Sequence, residues 1–116
     1  MDKEGSLNKD LLEYENLEKQ LEIVLLQKHQ LQLQLNEIKH ALEELKKAKG
    51  EVYRSSGSLM IQSNKADAEK DLNDRKELIE VKLTALEKQE EKLRESVTSS
   101  QKDLQERLKE HGKTEN

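Results

Sequence analysis

The chain has 116 residues, 32% hydrophobic and 40% charged, with a formal net charge of −4 and no Pro, Cys, Trp or Phe. An average soluble domain is roughly 45–50% apolar and about 25% charged, so an ordinary globular core is excluded. The lack of Cys excludes disulfides, thiolate metal sites and thiol nucleophiles, and fits a reducing compartment.

Disorder is excluded as well. Leu, Ile and Val make up 28 of 116 residues, and Ala, Glu, Lys, Leu and Arg together 65. A chain above roughly 20% in large aliphatics, with about half of its residues strong helix formers, reads as long helix or coiled coil. The longest apolar run, Ile23 to Leu26, is too short to span a membrane. The first six residues carry no apolar stretch of the kind a secretory signal needs. Residues 1–50 hold 8 basic and 10 acidic side chains and residues 51–116 hold 13 and 15, so neither half presents the basic face that nucleic acid requires.

In chain order, the pattern predicts a first helix over 6–49, a β-hairpin over 50–63, a second helix over 64–111 and a frayed tail over 112–116. Ser6 is the expected N-cap of the first helix. Lys46, Lys47 and Lys49 fall in its last turn, where cations suit the helix dipole. Gly50 closes it in the left-handed conformation. Glu51-Val52-Tyr53-Arg54 and Ser58-Leu59-Met60-Ile61-Gln62 are short runs of β-formers around a small-residue turn, Ser55-Ser56-Gly57. Leu59 and Ile61 share one strand face. A lone two-stranded hairpin is marginal in water. The chain offers no further strands, so the missing ones are expected from other subunits. Ser63-Asn64 caps the second helix, with Asp67 in its first turn.

Both helices carry a heptad seam. In the first it runs Tyr14, Leu17, Leu21, Val24, Lys28, Leu31, Leu35, Ile38, Leu42, Leu45. In the second it runs Leu72, Lys76, Ile79, Leu83, Leu86, Glu90, Leu93, Val97, Ser100, Leu104. Alternating steps of three and four mark a coiled-coil seam. Helices joined by a hairpin fold back antiparallel, so facing residues have numbers that add to 117 or 118. Lys28, the charged break in the first seam, then faces Glu90, a charged break in the second. Polar seam residues fix register at some cost in stability; the plainer alternative is that both side chains snorkel to solvent. Leu11, Leu12, Ile23, Leu25, Leu26 and Leu33 lie off the seam. Their concentration in the first helix reads as an interaction surface, because contiguous exposed apolar groups mark such surfaces.

Catalytic patterns are absent. Glu37-x-x-His40 has the spacing of a di-iron ligand pair, but Leu35 and Ile38 hold the seam and turn Glu37 and His40 outward. There is no phosphate-binding Gly loop and no nucleophile elbow, and Ser55, Ser56 and Ser58 are turn residues without a nearby base. No enzyme, cofactor or metal site is expected.

The string Glu51-Val52-Tyr53-Arg54-Ser55-Ser56-Gly57-Ser58-Leu59-Met60-Ile61 between two heptad helices resembles the prefoldin beta-type subunit. Leu35-Asn36-Glu37-Ile38-x-x-Ala41-Leu42-Glu43-Glu44-Leu45 and Leu86-x-x-Gln89-Glu90-Glu91-Lys92-Leu93 are similar to the same family. One hairpin rather than two favours the beta type over the alpha type. The resemblance covers nearly the whole chain, as a single domain over 1–116. It implies an all-α dominated fold, a long antiparallel two-helix coiled coil whose short hairpin joins an intersubunit β-barrel. It also implies an ATP-independent cytoplasmic co-chaperone, a hexamer of two alpha-type and four beta-type subunits. Such a hexamer holds unfolded clients at coiled-coil tips and passes them to a group II chaperonin. By position, Leu7, Leu11, Leu12, Tyr14, Leu104 and Leu108 would meet clients, Tyr14 and Leu104 also finishing the seam. Val52, Tyr53, Gly57, Leu59 and Ile61 would build the assembly platform. The alternative is a structural or adaptor coiled coil without clients; a membrane-surface helix is disfavoured by the acidic balance.

Overall fold

The computed structural model describes residues 3–114. Its elements follow the order α1 (Lys3–Lys47), β1 (Val52–Ser56), β2 (Leu59–Ser63) and α2 (Lys65–Thr114): two long helices joined by a short antiparallel hairpin.

Helix α1 starts at Lys3 rather than at Ser6. Glu4 supplies the acidic side chain of its first turn. The Ser6 hydroxyl caps no backbone amide and instead accepts a hydrogen bond from Arg107 Nη1. The helix stops at Lys47, short of Lys49. Ala48 N donates to Leu45 O at 3.2 Å, tightening the last turn, and Gly50 takes φ +109, a conformation that a side chain would oppose. Lys46 and Lys47 do lie in the last turn. The cation that reaches a terminal carbonyl comes from the next helix, Lys65 Nζ donating to Lys46 O at 3.0 Å. One of the orphan carbonyls of α1 is thereby satisfied.

The hairpin loop is Gly57–Ser58, later than the expected Ser55-Ser56-Gly57. Ser55 and Ser56 stay in β1, paired with Met60 and Leu59. Gly57 has φ +60, and no non-glycine residue among those described has a positive φ. Those signs are the ones a type II′ turn needs, with Gly in the first loop position, and its twist matches the strands.

Asn64 caps α2 reciprocally. Its Oδ1 accepts from Asp67 N at 2.8 Å, and its Nδ2 donates to Asp67 Oδ2 at 2.8 Å. The helix passes through Gly112 to Thr114 instead of closing at 111. A glycine costs a helix only about 1 kcal/mol relative to Ala, and Gly112 does not adopt positive φ. Met1, Asp2, Glu115 and Asn116 lie outside the described residues, so of the expected tail only 112–114 can be placed, and these are helical.

The chain forms two compact units, one from Met1–Lys28 with Leu86–Asn116, the other His29–Ala85. In the second, Leu35, Ile79 and Leu83 make a buried cluster with Leu31 and Ile38 packed against it. In the first, Val24 and Leu104 are the buried residues among those described, at 3% and 6% exposure. All seam positions named above are buried or half-buried, including the polar Lys28, Lys76, Glu90 and Ser100. The antiparallel sense within each unit follows from its contacts. In one, Asp10 meets Arg107 while Lys28 meets Glu90. In the other, Leu35 packs with Leu83 while Lys65 reaches Lys46.

Candidate interaction surfaces

The hairpin is a two-stranded sheet of order β1-β2, so each strand has an outer edge with no partner among the described residues. Its register pairs Val52 with Ser63, Arg54 with Ile61 and Ser56 with Leu59, which puts Val52, Leu59 and Ile61 on one face. Tyr53 lies on the other face, diagonal to Met60. The platform residues expected from the sequence are therefore divided between two faces, and Met60, not among them, is the most exposed of the group. Leu59 is 66% exposed and Met60 67%, and Tyr53 and Ile61 are also open while Val52 is half-buried. An alternating Leu-Met-Ile run with apolar groups on both faces is the signal that would have included Met60.

The Tyr53 hydroxyl donates to the Glu51 carboxylate, and this bond, ahead of desolvation, raises the phenol above its usual range. A cleft of about 470 Å³ lies between hairpin and helices in this unit, with Ala41, Leu45, Ala48, Ala68 and Leu72 among its lining.

The start of α1 and the end of α2 belong to the other unit. Of the residues expected there to meet clients, Leu11, Leu12 and Leu108 are exposed, Leu7 and Tyr14 half-buried, and Leu104 buried. Desolvation, followed by the nearby Glu18 carboxylate, raises the Tyr14 hydroxyl. Tyr14 and Leu104 thus belong to the packed seam, whereas Leu11, Leu12 and Leu108 are free to touch something else. Ile23, Leu25 and Leu26 on α1 are exposed too.

Two polar layers cross this unit. Lys28 Nζ donates to Glu90 Oε1 at 2.7 Å, with side-chain exposures of 32% and 16%. Arg94 Nε donates to Glu90 Oε2 at 2.8 Å. Both carboxylate oxygens therefore accept from cations, and these bonds hold Glu90 below the usual carboxylate range. The second layer is Asp10 with Arg107, Nε to Oδ2 2.6 Å. That oxygen is buried and takes no well-aligned hydrogen bond, so its partner is the guanidinium charge. Arg94, Asp10 and Arg107 were not expected from the sequence. For the last two the signal was available: carried one step further, the seams reach 10 on α1 and 107 on α2, again adding to 117.

Glu37 and His40 are exposed, and no group of three or more potential metal ligands gathers among the described residues. No helix among the described residues is long and apolar enough to cross a membrane.

The sequence matches the model of the prefoldin subunit family over residues 8–111. Among solved structures it is similar to the prefoldin beta subunit from Thermococcus strain KS-1. The identity is 34%, the TM-score 0.81, and the match covers 87% of this chain and 90% of that one. The prefoldin beta2 subunit from the same strain is 18% identical with TM-score 0.71, over 77% of this chain and 97% of that one, a likeness of fold. No curated protein gives a sequence match. The chain belongs to the prefoldin subunit family, with the fold of its beta subunits. The family is one of non-enzymatic chaperones, and membership carries a co-chaperone role and assembly with other prefoldin subunits.

Proposed function

We propose that the chain is the beta-type subunit of a cytoplasmic hetero-hexamer of two alpha-type and four beta-type subunits. Without ATP, this assembly captures unfolded polypeptides and hands them to a group II chaperonin. The observation that carries the reading is the hairpin: within a prefoldin fold it leaves Leu59, Met60 and Ile61 uncovered and both strand edges open. Open edges and apolar faces are the features by which strands pair with other chains. Hairpins from several subunits would complete each other's ladders in a shared barrel, with Val52, Leu59 and Ile61 turned to one side and Tyr53 to the other. Gly57 supplies the turn that ends each ladder.

Client capture is assigned to the apolar groups at the start of α1 and the end of α2. Leu11, Leu12 and Leu108 offer the open surface and Leu7 a partly open one; Tyr14 and Leu104 support them from the seam. Apolar side chains without directional partners suit clients of varied sequence, and several copies in one assembly raise weak contacts to useful avidity. Lys28 with Glu90 fixes the pairing of the helices that carry these residues. Nothing in the reading calls for a cofactor, nucleic acid or a membrane.

The test combines the chain with an alpha-type subunit and measures mass by light scattering and suppression of aggregation of guanidinium-denatured citrate synthase. The full chain should give the hexamer mass and suppress aggregation. A chain lacking residues 1–13 and everything after Arg107 should keep the mass and lose the suppression. Undiminished suppression by the truncated hexamer would refute capture at these ends. A full chain that assembles with no effect on the client would favour the adaptor reading.

A further inference from the structure

The ends of α1 and α2 hold an arrangement that a simple apolar seam does not need. Ser6 and Asp10 are four residues apart on α1, so their side chains lie on one face, one turn from each other. Arg107 reaches both from α2: its Nε lies 2.6 Å from Asp10 Oδ2, and its Nη1 donates to the Ser6 hydroxyl. The guanidinium donates to the Ser6 hydroxyl and meets the buried Asp10 oxygen through its charge, so one side chain on α2 engages both residues of α1. Beside this pair stand two apolar seam residues, Leu104, one turn earlier on α2, and Tyr14, one turn later on α1. Leu104 is buried at 6% exposure. Beyond them Leu11, Leu12 and Leu108 are open.

We propose that Ser6, Asp10 and Arg107 form an ionic latch that sets how much apolar surface this end of the unit presents. Closed, the latch keeps Leu104 and Tyr14 packed and leaves only the off-seam leucines exposed. Open, it lets the helix ends part and adds Leu104, Tyr14 and Leu7 to the exposed surface. Arg107 is a positioning residue: it acts through the helix it holds. The pair is built to open. The Arg107 side chain is 47% exposed and that of Asp10 23%, so solvent and salt weaken their attraction. The consequence for clients rests on the function proposed above; the latch itself does not.

Hydrogen exchange on the full chain tests the latch directly. In Arg107→Gln, amides of residues 4–17 and 97–110 should exchange roughly two- to fivefold faster, the range expected when a partly exposed ion pair is lost. Hairpin amides over 52–63 serve as the internal reference and should not change. The double variant Asp10→Arg with Arg107→Asp restores opposite charges and should return exchange most of the way to that of the native chain. The native chain in 1 M NaCl should approach the Arg107→Gln rates. An exchange rate in Arg107→Gln equal to that of the native chain, or a charge swap no better than the single variant, overturns the latch. Aggregation suppression separates the two claims. With faster exchange, Arg107→Gln should hold denatured citrate synthase at lower chain concentration. Faster exchange with unchanged suppression keeps the latch and refutes capture through the surface it uncovers.

Discussion

Leu33 and Leu35 are the same residue type two positions apart on α1, and they occupy opposite circumstances. Leu35 is 6% exposed and packs with Ile79, Leu83, Leu31 and Ile38, while Leu33 is 50% exposed. Truncation to Ala should therefore separate them. Removing a buried Leu side chain costs about 2–5 kcal/mol, the upper values belonging to sites that cannot relax. Here the seam is one layer deep and its flanks face water, so the neighbours can settle into the gap. That places Leu35→Ala at the lower end, about 2–3 kcal/mol. Leu33→Ala opens no cavity and trades one good helix former for a better one, so it should stay within about 0.5 kcal/mol. At roughly 4–8 °C per kcal/mol for a chain of this size, Leu35→Ala should lower Tm by about 10–20 °C and Leu33→Ala by a few degrees at most.

The measurement is urea unfolding followed by circular dichroism at 222 nm. It should be run at two fixed protein concentrations, because assembly couples apparent stability to concentration. The midpoint should move for Leu35→Ala with little change in slope. If Leu33→Ala costs as much as Leu35→Ala, or Leu35→Ala costs less than about 0.5 kcal/mol, the assignment of the seam to one face of α1 is wrong.

Lys28→Glu places two carboxylates together at the Glu90 layer and should lower Tm; adding Glu90→Lys should recover most of the loss, read by differential scanning calorimetry. Because Glu90 is held below the usual carboxylate value of 4.5, the unfolded chain binds its proton first as pH falls. Its stabilising effect is complete above about pH 4.5 and is lost as pH drops through the lowered folded value. The Tm difference between the native chain and Glu90→Gln should therefore be largest near neutrality and close in acid; a difference that grows below pH 4.5 would reverse the sign of the argument. Mixed with an alpha-type subunit, Leu59→Ser with Ile61→Ser should give species smaller than the native chain gives, while the helical signal survives. Met60→Ser, on the other hairpin face, tests that side separately, and a full-size assembly from all three changes together would refute hairpin-mediated assembly.

Period was the most legible feature of the sequence. Lys28, Lys76, Glu90 and Ser100 are polar, yet the three-four spacing assigned them to the seam, and each is half-buried. The same spacing put Leu33 outside and Leu35 inside. What escaped had several causes, the first being that polar residues at the boundary of the apolar pattern look like its end. Asp10 and Arg107 continue the two seams, but a count that follows apolar residues stops at Tyr14 and Leu104. Arg94 lies off the seam and joins the Glu90 layer through a helical i, i+4 contact that heptad counting does not consider. The carbonyl of Lys46 is met by Lys65 because the hairpin returns the chain beside it, a proximity that local capping rules cannot supply. The loop at Gly57–Ser58 turns on which residue takes positive φ, and a run of Ser, Ser, Gly leaves several candidate loops until pairing decides.

The two polar layers of the unit built from Met1–Lys28 and Leu86–Asn116 act together on pairing. In one the cation is on α1 and the anion on α2; in the other the anion, Asp10, is on α1 and the cation, Arg107, on α2. The layers lie about five helical turns apart on both helices, at roughly 3.6 residues per turn. Sliding α2 by a heptad takes both acceptors away from both donors at once, whereas a purely leucine seam would lose little from the same slip. A parallel pairing of two copies of α1 fares worse, since Lys28 would face Lys28 and Asp10 would face Asp10. Like charges in half-buried positions carry both repulsion and desolvation. The antiparallel intramolecular register satisfies both layers, and its alternatives are penalised rather than merely unrewarded. An apolar seam supplies adhesion without address. The two ionic layers, their charges set in opposite order on the two helices, supply that address.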